Sequence, residues 1–256
     1  MHHDQLRSLF DLTDRVAIVT GGTRGIGRAI AEGFAAAGAS IAVASRKPEA
    51  CEEAARALAA DGAAAIGVPT HTGELDAVRA LVDTTVETFG RLDILVNNAA
   101  TALREDVGSF TPEAYAKSMD VNLRGPVFLV EAAIPHLEQS PSAAIVNVIS
   151  AGAFLFAGFT ATYAAAKAAL FSFTRAWAAE LAPRGIRVNA LAPGSVDTDM
   201  MRANPEEAQA RMAQASLQRR TAHADEMVGP ALFLASDAAS FVTGQVLIAD
   251  GGLVPH

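Results

Sequence analysis

Tyr163, Lys167 and Ser150 are the side chains whose types and spacing are best suited to moving a proton. A spacing of four residues on a helix places the tyrosine and the lysine on one face, about one turn (~6 Å) apart. A phenol titrates at about pH 10, so it exchanges its proton at neutral pH only where its phenolate form is favoured. We expect the Lys167 ammonium to lower the pKa of Tyr163 by charge proximity, so that the phenol becomes a general acid or base.

Ser150 stands upstream of Tyr163, at the end of the fifth predicted strand. A hydroxyl at the carboxyl end of a strand can polarise the carbonyl of a bound substrate. Lys167 can also donate a hydrogen bond to a ribose hydroxyl. Taken alone, a tyrosine and a lysine four residues apart more often form an exposed pair on an alanine-rich helix, so the pair needs support from other motifs.

The stretch TGGTRGIG, residues 20–27, directly follows an apolar run that predicts the first strand. Glycines in such a turn let the backbone approach a pyrophosphate, while the amides and the dipole of the next helix face the anion. A plain turn between strand and helix is the alternative, but the position in a βαβ unit favours a dinucleotide. The residues expected to bind it are Gly21, Thr23, Arg24, Gly25, Ile26 and Gly27.

The tip of the second predicted strand indicates which dinucleotide is preferred. Sites for NAD commonly place a carboxylate there, but this strand ends in Ser45, Arg46 and Lys47. A guanidinium can bind a 2'-phosphate bidentately, and Arg24 lies in the neighbouring glycine turn. We therefore expect NADP(H) as the favoured cofactor and NAD(H) as the alternative, although two basic residues in a loop can also be an ordinary solvated pair.

Short runs rich in valine and isoleucine alternate with longer helical stretches along the chain. Runs that are apolar on both faces indicate strands buried between two helix layers, hence a parallel sheet. The predicted strands are 16–20, 41–45, 65–69, 93–97, 144–150, 187–193 and 245–250. This pattern predicts an α/β fold of the Rossmann type, a doubly wound parallel sheet of about seven strands with helices on both faces. We expect residues 1–256 to form a single domain, with residues 1–10 as a flexible N-terminal extension.

The composition of the 256-residue chain excludes several classes of partner. Its formal net charge of -8 disfavours a nucleic-acid surface and an anionic membrane surface, so a small molecule is the expected partner. No apolar run reaches the ~18 residues that a membrane span needs. The single cysteine, Cys51, cannot form an intramolecular disulfide, and a cytoplasmic location is expected. The six histidines occur without a metal-ligand motif, so we expect no metal site.

Seven motifs in a fixed order span nearly the whole chain, from about residue 11 to residue 252. They are TGGTRGIG, NNAA at 97–100, Asn122 within MDVNLRG, Ser150, YAAAK, APGSVDT at 192–198, and FVTGQ followed by DGG. With these motifs the sequence resembles the short-chain dehydrogenase/reductase family. The resemblance implies that hydride passes between a nicotinamide ring and a substrate carbon, while Tyr163 transfers the proton, Lys167 tunes it and Ser150 orients the substrate. It also implies that Asn122 anchors a water relay to Lys167.

The resemblance further implies a set of cofactor contacts beyond the glycine turn. These are Asn98, Ala99, Tyr163, Lys167, Pro193, Gly194, Val196 and Thr198. The sequence departs from the family pattern at Ala100, where glycine is usual, which brings a Cβ near the cofactor channel. His71, followed by Thr72, stands where an aspartate or asparagine usually contacts the adenine. A neutral imidazole can still donate or accept a hydrogen bond there.

The segment between Ser150 and Tyr163 carries no charge and predicts a largely apolar pocket wall, although core packing or a subunit contact would explain the same residues. A mobile lid is predicted at 199–217, where methionines give an adaptable apolar surface. Together they favour an uncharged, moderately bulky ketone or secondary alcohol as substrate. The large apolar residues of the predicted wall are Phe154, Leu155, Phe156 and Phe159.

Two alternatives to this function remain open. The first is a reductase for 3-oxoacyl groups on a carrier protein, but segment 131–142 is acidic to neutral, whereas an acidic carrier needs a basic docking patch. The second is an NADP-binding sensor or scaffold without turnover, which the presence of Ser150, Tyr163 and Lys167 together disfavours. The resemblance also implies a homotetramer or homodimer formed through long helices at about 112–138 and 160–181 and through the last strand.

Overall fold

Seven parallel strands form one sheet in this computed structural model, which describes residues 2–155 and 158–254. The strands are β1 (Val16–Thr20), β2 (Ser40–Ser45), β3 (Ala65–Pro69), β4 (Ile94–Asn97), β5 (Ala143–Val148), β6 (Ile186–Pro193) and β7 (Val246–Ala249). Their order across the sheet is β3-β2-β1-β4-β5-β6-β7. The central strands β1, β4 and β5 are buried along their full length, because helices cover both of their faces.

Helices form a layer on each side of this sheet. In the described part of the chain they are α1 (His3–Ser8), α2 (Gly25–Ala36), α3 (Pro48–Ala60), α4 (Leu75–Phe89), α5 (Pro112–Met119), α6 (Gly125–Leu137), α7 (Ala161–Leu181), α8 (Asp199–Arg202), α9 (Glu206–Ala215) and α10 (Val228–Ala235). One hydrophobic core lies between the sheet and helices α2, α3 and α10, and a second lies between the sheet and α4, α6 and α7. The predicted doubly wound α/β fold is therefore confirmed.

The strand order reverses beside β1, because β2 and β3 lie on one side of it and β4 to β7 lie on the other. In open α/β sheets a ligand binds at the carboxyl ends of the strands, in the crevice where the order reverses. The segments that leave β1, β4, β5 and β6 at this end carry most of the residues that the motifs single out. The topology thus collects residues from distant parts of the sequence around one crevice.

The helix predicted over about 112–138 contains a local irregularity. A π-helical turn, Asp120–Arg124, joins α5 to α6 without a break, so the predicted long helix is present but is not α-helical throughout. Gly125 lets the start of α6 pack closely against the segment after β3, since a Cβ on it would lie 2.0 Å from the Thr72 carbonyl oxygen. In this turn the side chains project in directions that differ from those in a regular α-helix.

The predicted N-terminal extension contains the short helix α1. Beyond α1, the Leu9 carbonyl accepts a hydrogen bond from the Ala238 N–H (2.9 Å). This contact ties the extension to the segment that follows α10. The flexibility of residues 1–10 and the single-domain organisation of residues 1–256 stay predictions.

A chain of buried polar side chains crosses the sheet near the crevice. Asn97 on β4 donates to Oδ1 of Asn147 on β5 (2.9 Å), and Asn147 donates to Oγ1 of Thr174 on α7 (2.8 Å). Thr174 in turn donates to the Leu170 carbonyl (2.9 Å). Because buried donors need partners, this chain holds α7 against β5 two turns from Lys167.

Candidate active site

The glycine turn after β1 makes close approaches that only glycine permits. Gly21 has a φ of +65°, and a Cβ on it would lie 2.8 Å from Asn98 Nδ2. A Cβ on Gly27 would lie 2.3 Å from the Gly21 carbonyl oxygen. Thr23 and Ile26 are half-buried in the same stretch. The turn leads into α2, whose first N–H groups have no acceptor within the helix and are available to an anion.

Thr20 ties the glycine turn to the segment after β4. Its Oγ1 accepts hydrogen bonds from the N–H groups of Asn98 (2.9 Å) and Ala99 (3.0 Å). The Asn98 side chain donates in return to the Thr20 carbonyl (2.8 Å). The Asn98 amide therefore supports the turn, and the backbone of residues 98 and 99 borders the crevice.

The tip of β2 carries exposed cations. Arg46 and Lys47 are both exposed, and neither forms an ion pair with another described residue. Ser45 is half-buried, and its carbonyl accepts a hydrogen bond from the backbone of the segment after β3. Arg24 is also exposed, but its Nη1 donates to Asp199 Oδ2 (3.0 Å). Two unpaired cations at this tip fit a ribose that carries an additional phosphate, since phosphate recognition needs charged donors.

His71 and Thr72 follow β3 at the same end of the sheet. His71 Nδ1 accepts a hydrogen bond from the Gly73 N–H (3.1 Å), so Nε2 carries the proton of the neutral ring and is a donor. Thr72 is buried, and its carbonyl lies against Gly125. The adenine contact expected of this pair stays a prediction, for which the structure offers a donor nitrogen.

Tyr163, Lys167 and Ser150 lie together at the carboxyl end of β5. Lys167 Nζ is 5.8 Å from the centroid of the Tyr163 ring and donates to the Val148 carbonyl (2.7 Å). Ser150 lies two residues beyond Val148, and its Oγ accepts a hydrogen bond from the Gly152 N–H (3.0 Å). The structure thus brings together the three residues that the sequence singled out for proton chemistry.

Burial governs the titration of the phenol and the amine. It lowers the pKa of Lys167 from 10.5 to about 8, because the ammonium loses water on entering the interior. Burial also raises the pKa of the half-buried Tyr163, while a hydrogen bond with Ser150 acts in the opposite direction. The pKa of Tyr163 therefore does not fall as expected, because burial outweighs the effect of the neighbouring ammonium, which is directed to the Val148 carbonyl.

Asn122 is fully buried in the π-helical turn, where its amide holds the segment after β4. Its Oδ1 accepts from the Thr101 N–H (3.0 Å), and its Nδ2 donates to the carbonyls of Thr101 (2.8 Å) and Ser118 (2.9 Å). This anchoring of residue 101 was not predicted from the sequence. The water relay stays a prediction, since the amide makes no hydrogen bond to Lys167 in the described part of the chain.

The segment after β6 forms the opposite wall of the crevice. Pro193 ends β6, and the Gly194 N–H donates a hydrogen bond to the last residue of β7 (3.0 Å). Val196 is buried. Thr198 reaches the glycine turn, since a Cβ on Gly25 would lie 3.1 Å from its methyl group. The four residues thus run from the sheet to the start of α2.

Comparison with known proteins agrees with this arrangement. The family model described as Enoyl-(Acyl carrier protein) reductase matches residues 21–254. The human protein Dehydrogenase/reductase SDR family member 4 is 35% identical over 244 residues, which cover 94% of this chain and 88% of that protein. The chain belongs to the short-chain dehydrogenase/reductase family.

Two further relatives extend this comparison. L-rhamnose 1-dehydrogenase (NAD(P)(+)) of Azotobacter vinelandii (strain DJ / ATCC BAA-1303) is 37% identical over 249 residues, covering 94% of this chain and 97% of the relative. The crystal structure of a gluconate 5-dehydrogenase from Burkholderia cenocepacia J2315 in complex with NADP and tartrate has a TM-score of 0.92 at 36% identity, covering 97% and 98% of the two chains. This short-chain dehydrogenase/reductase is therefore an oxidoreductase that acts on alcohol or carbonyl groups of a small molecule with a nicotinamide cofactor.

A cluster of polar side chains near the start of α7 in this short-chain dehydrogenase/reductase was not predicted from the sequence. Arg104 Nη1 donates to Asn204 Oδ1 (3.0 Å), and the guanidinium lies 5.4 Å from the centroid of the Phe159 ring. Glu105 Oε2 accepts from Thr162 Oγ1 (3.2 Å), while its Oε1 is buried without a partner among the described residues. The segment after β4, the segment before α7 and the predicted lid meet here. The charged run RED at 104–106 was the available signal in the sequence.

The predicted apolar wall is present in part. Phe154 and Phe159 are 37% and 58% exposed, and Leu155 is half-buried. Phe154 also packs edge-on against Phe171, with ring centroids 5.6 Å apart, so one of the predicted wall residues contributes to helix packing. Phe156 lies outside the described residues. Together with Arg104 and its partner, the wall is mixed in polarity.

Three further features of the described residues relate to the expectations from the sequence. No group of three or more His, Cys, Asp or Glu side chains that could hold a metal ion occurs in the described part of the chain. No helix among the described residues is long and apolar enough to cross a membrane. Cys51 is buried as a free thiol, and burial raises its pKa.

Proposed function

We propose that the enzyme is an NADP(H)-dependent carbonyl reductase that interconverts a largely apolar ketone and the corresponding secondary alcohol. The nicotinamide cofactor supplies or accepts the hydride when it is bound. Tyr163, Lys167 and Ser150 supply the proton and the orientation at the substrate oxygen. The observation that carries this proposal is the convergence of these three side chains at the carboxyl end of β5, beside the crevice.

Tyr163 holds the transferred proton on its phenolic oxygen in this proposal. Because burial raises its pKa, the phenol is protonated at neutral pH and serves as the general acid in carbonyl reduction. Ser150, whose hydroxyl lowers the pKa of the phenol, orients the substrate oxygen. Lys167 binds a ribose hydroxyl, and its charge stabilises the phenolate left after proton transfer. Asn122 anchors a water relay that returns the proton through Lys167.

The experiment that tests this assignment is Tyr163→Phe. Removal of the phenolic oxygen should lower turnover about 10²–10⁴-fold and leave NADPH affinity unchanged, since general acid catalysis contributes on that scale. Tyr115, the second of the two tyrosines in the chain, is 51% exposed on α5, so Tyr115→Phe is a matched control that should keep its activity. Near-normal turnover of Tyr163→Phe, or equal losses in both variants, would overturn the assignment.

We further propose that Arg46, Lys47 and Arg24 bind the 2'-phosphate of NADP(H). The exposed, unpaired side chains of Arg46 and Lys47 at the tip of β2 support this preference. Arg46→Ala should weaken NADPH binding far more than NADH binding, as measured by fluorescence titration without substrate. Arg56→Ala, an exposed position on the neighbouring helix α3, is the control. Equal losses for the two nucleotides in Arg46→Ala would mean that Arg46 does not contact the phosphate.

The other cofactor contacts are proposed from their positions around the crevice. The adenosine end is proposed to meet the residues after β2 and β3, and the nicotinamide end the residues after β4 and β6. These residues are Ser45, His71, Thr72, Asn98, Ala99, Pro193, Gly194, Val196 and Thr198.

A polyhydroxylated substrate, such as a sugar or a sugar acid, is a second candidate. The hydrogen bond between Arg104 and Asn204 and the unpartnered Glu105 oxygen support it, and so do the names of the rhamnose and gluconate relatives. Turnover of NADPH or NADP with cyclic ketones, sugars, sugar acids and a 3-oxoacyl thioester decides between the candidates. Arg104→Ala should raise KM for sugar acids and leave KM for apolar ketones unchanged.

The same panel tests the remaining alternatives. Highest kcat/KM on the 3-oxoacyl thioester would favour the carrier-protein reductase, with which the description of the matching family model agrees. Cofactor binding without turnover of any compound would favour a sensor.

We also propose that the enzyme is a cytoplasmic homo-oligomer, a tetramer or a dimer. Phe128 on α6 and Phe173 on α7 are 40% and 36% exposed, and Phe241 before β7 is fully exposed. Large exposed apolar side chains on or near the elements named by the family resemblance support subunit contacts there. Light scattering coupled to size-exclusion chromatography should give a multiple of 26.5 kDa, and a stable species of 26.5 kDa would contradict the proposal.

A further inference from the structure

Asp199 joins the glycine turn to the first helix of the predicted lid. Its Oδ2 accepts a hydrogen bond from Arg24 Nη1 (3.0 Å), and its Oδ1 accepts one from Arg202 Nη2 (2.8 Å). Arg202 also donates to Asp197 Oδ1 (2.6 Å). One carboxylate therefore pairs with a cation of the cofactor site and with a cation of α8.

Among the described residues, Arg24 is the one proposed 2'-phosphate ligand that has an acidic partner. Arg46 and Lys47 form no ion pair there. The side chains of Arg24 and Asp199 are 69% and 53% exposed, so water screens their attraction and an anionic ligand can displace the carboxylate. Asp199 stays ionised, because hydrogen bonds from Arg202 and Arg24 lower its pKa.

We propose that Asp199 is a specificity-determining residue that restrains the preference of this enzyme for NADP(H) over NAD(H). This inference rests on the proposed role of Arg24 at the 2'-phosphate. Binding of the phosphate takes Arg24 from its carboxylate partner, so NADP(H) binding bears the free-energy cost of breaking this ion pair. Thr198, whose methyl group would lie 3.1 Å from a Cβ on Gly25, places Asp199 next to the turn. NAD(H) lacks this phosphate and leaves the ion pair intact, so the cost falls on NADP(H) alone.

Asp199→Asn tests this role, because it removes the charge and preserves the size of the side chain. We expect the ratio of the NADH to the NADPH dissociation constant to rise about threefold, the scale of one exposed ion pair. Both constants are measured by nucleotide fluorescence without substrate. Asp197→Asn is the matched control, since Asp197 carries the same charge and pairs with Arg202 but not with Arg24. An equal rise of this ratio in both variants would mean that the loss of any negative charge near the site favours NADPH, and it would overturn the proposal.

Arg24→Ala separates this inference from the proposed function. If the inference holds, Arg24→Ala weakens NADPH binding selectively, and Asp199→Asn adds no further change to the ratio in that background. An unchanged ratio in Asp199→Asn, together with a selective loss in Arg24→Ala, overturns the role of Asp199 and leaves the proposed NADP(H) site standing. The absence of any selective loss in Arg24→Ala overturns the inference and the role of Arg24, while the roles of Arg46 and Lys47 are tested separately by Arg46→Ala.

Discussion

The buried amine of Lys167 should make the free energy of unfolding rise with pH, and Lys167→Met should remove this rise. The side chain is 1% exposed, and burial lowers its pKa from 10.5 to about 8. Below about pH 8 both the folded and the unfolded chain hold the proton, so the folded state bears the whole cost of the buried charge. Between these two pKa values the unfolded chain binds more protons, and the free energy of unfolding therefore increases with pH.

The size of this effect follows from the two pKa values. Proton linkage gives the wild-type chain a gain of about 2 kcal/mol in the free energy of unfolding between about pH 7 and about pH 9.5, relative to Lys167→Met. The variant also leaves the Val148 carbonyl without its donor, which costs about 1–3 kcal/mol at every pH. The dependence of the difference on pH, rather than the absolute stability, is therefore the quantity to measure.

Urea unfolding followed by circular dichroism, at fixed protein concentration and several pH values, measures this difference. Lys117→Met, on the exposed surface of α5, controls for the loss of one positive charge. Parallel stability profiles for the wild-type chain and Lys167→Met would refute the reasoning, because they would show that burial does not weaken proton binding by the amine.

Three further substitutions test contacts that hold the site together. Gly27→Ala places a methyl group 2.3 Å from a backbone oxygen, whereas Gly229→Ala meets nothing within 4 Å. Calorimetric titration should therefore show about tenfold weaker NADPH binding in the first and native binding in the second, and equal affinities would argue against a close backbone cradle. Asn122→Ala frees the start of the segment after β4 and should lower the free energy of unfolding by about 2–3 kcal/mol and speed proteolysis there; native protease resistance would count against this anchor. Thr174→Val leaves the buried Asn147 amide without its acceptor and should lower the free energy of unfolding in urea by about 1–3 kcal/mol. An unchanged free energy of unfolding would mean that the amide finds another partner, such as a bound water.

The strands could be predicted because a short run of apolar residues is enough to indicate a buried strand. β1 and β3 occupy the predicted residues, since each apolar run is bounded by a glycine turn or a proline. β5 ends at Val148, two residues before the predicted end. Ser150 lies beyond the strand, and its Oγ accepts a hydrogen bond from the short turn that follows. In the sequence, a serine that caps such a turn after an apolar run looks the same as the last residue of the strand.

The contacts between distant segments could not be predicted in the same way. Arg24 and Asp199 are separated by 175 residues, so no local spacing pairs them. The four-residue spacing correctly places Tyr163 and Lys167 on one face of α7, but it does not show that the ammonium turns to the Val148 carbonyl. That partner depends on how α7 packs on β5. The π-helical turn around Asn122 could not be predicted either, because the residues on both sides of it continue a helical pattern.

Asn97, Asn147 and Thr174 cannot be exchanged one at a time without penalty. An apolar residue at any one of these positions leaves a neighbour's buried polar group without a partner, whereas apolar residues of matching volume at all three remove that cost together. Among homologous sequences these positions should therefore covary as a group, polar together in some lineages and apolar together in others. Their separations of 50 and 27 residues would make that covariation a long-range signal of how β4, β5 and α7 are assembled.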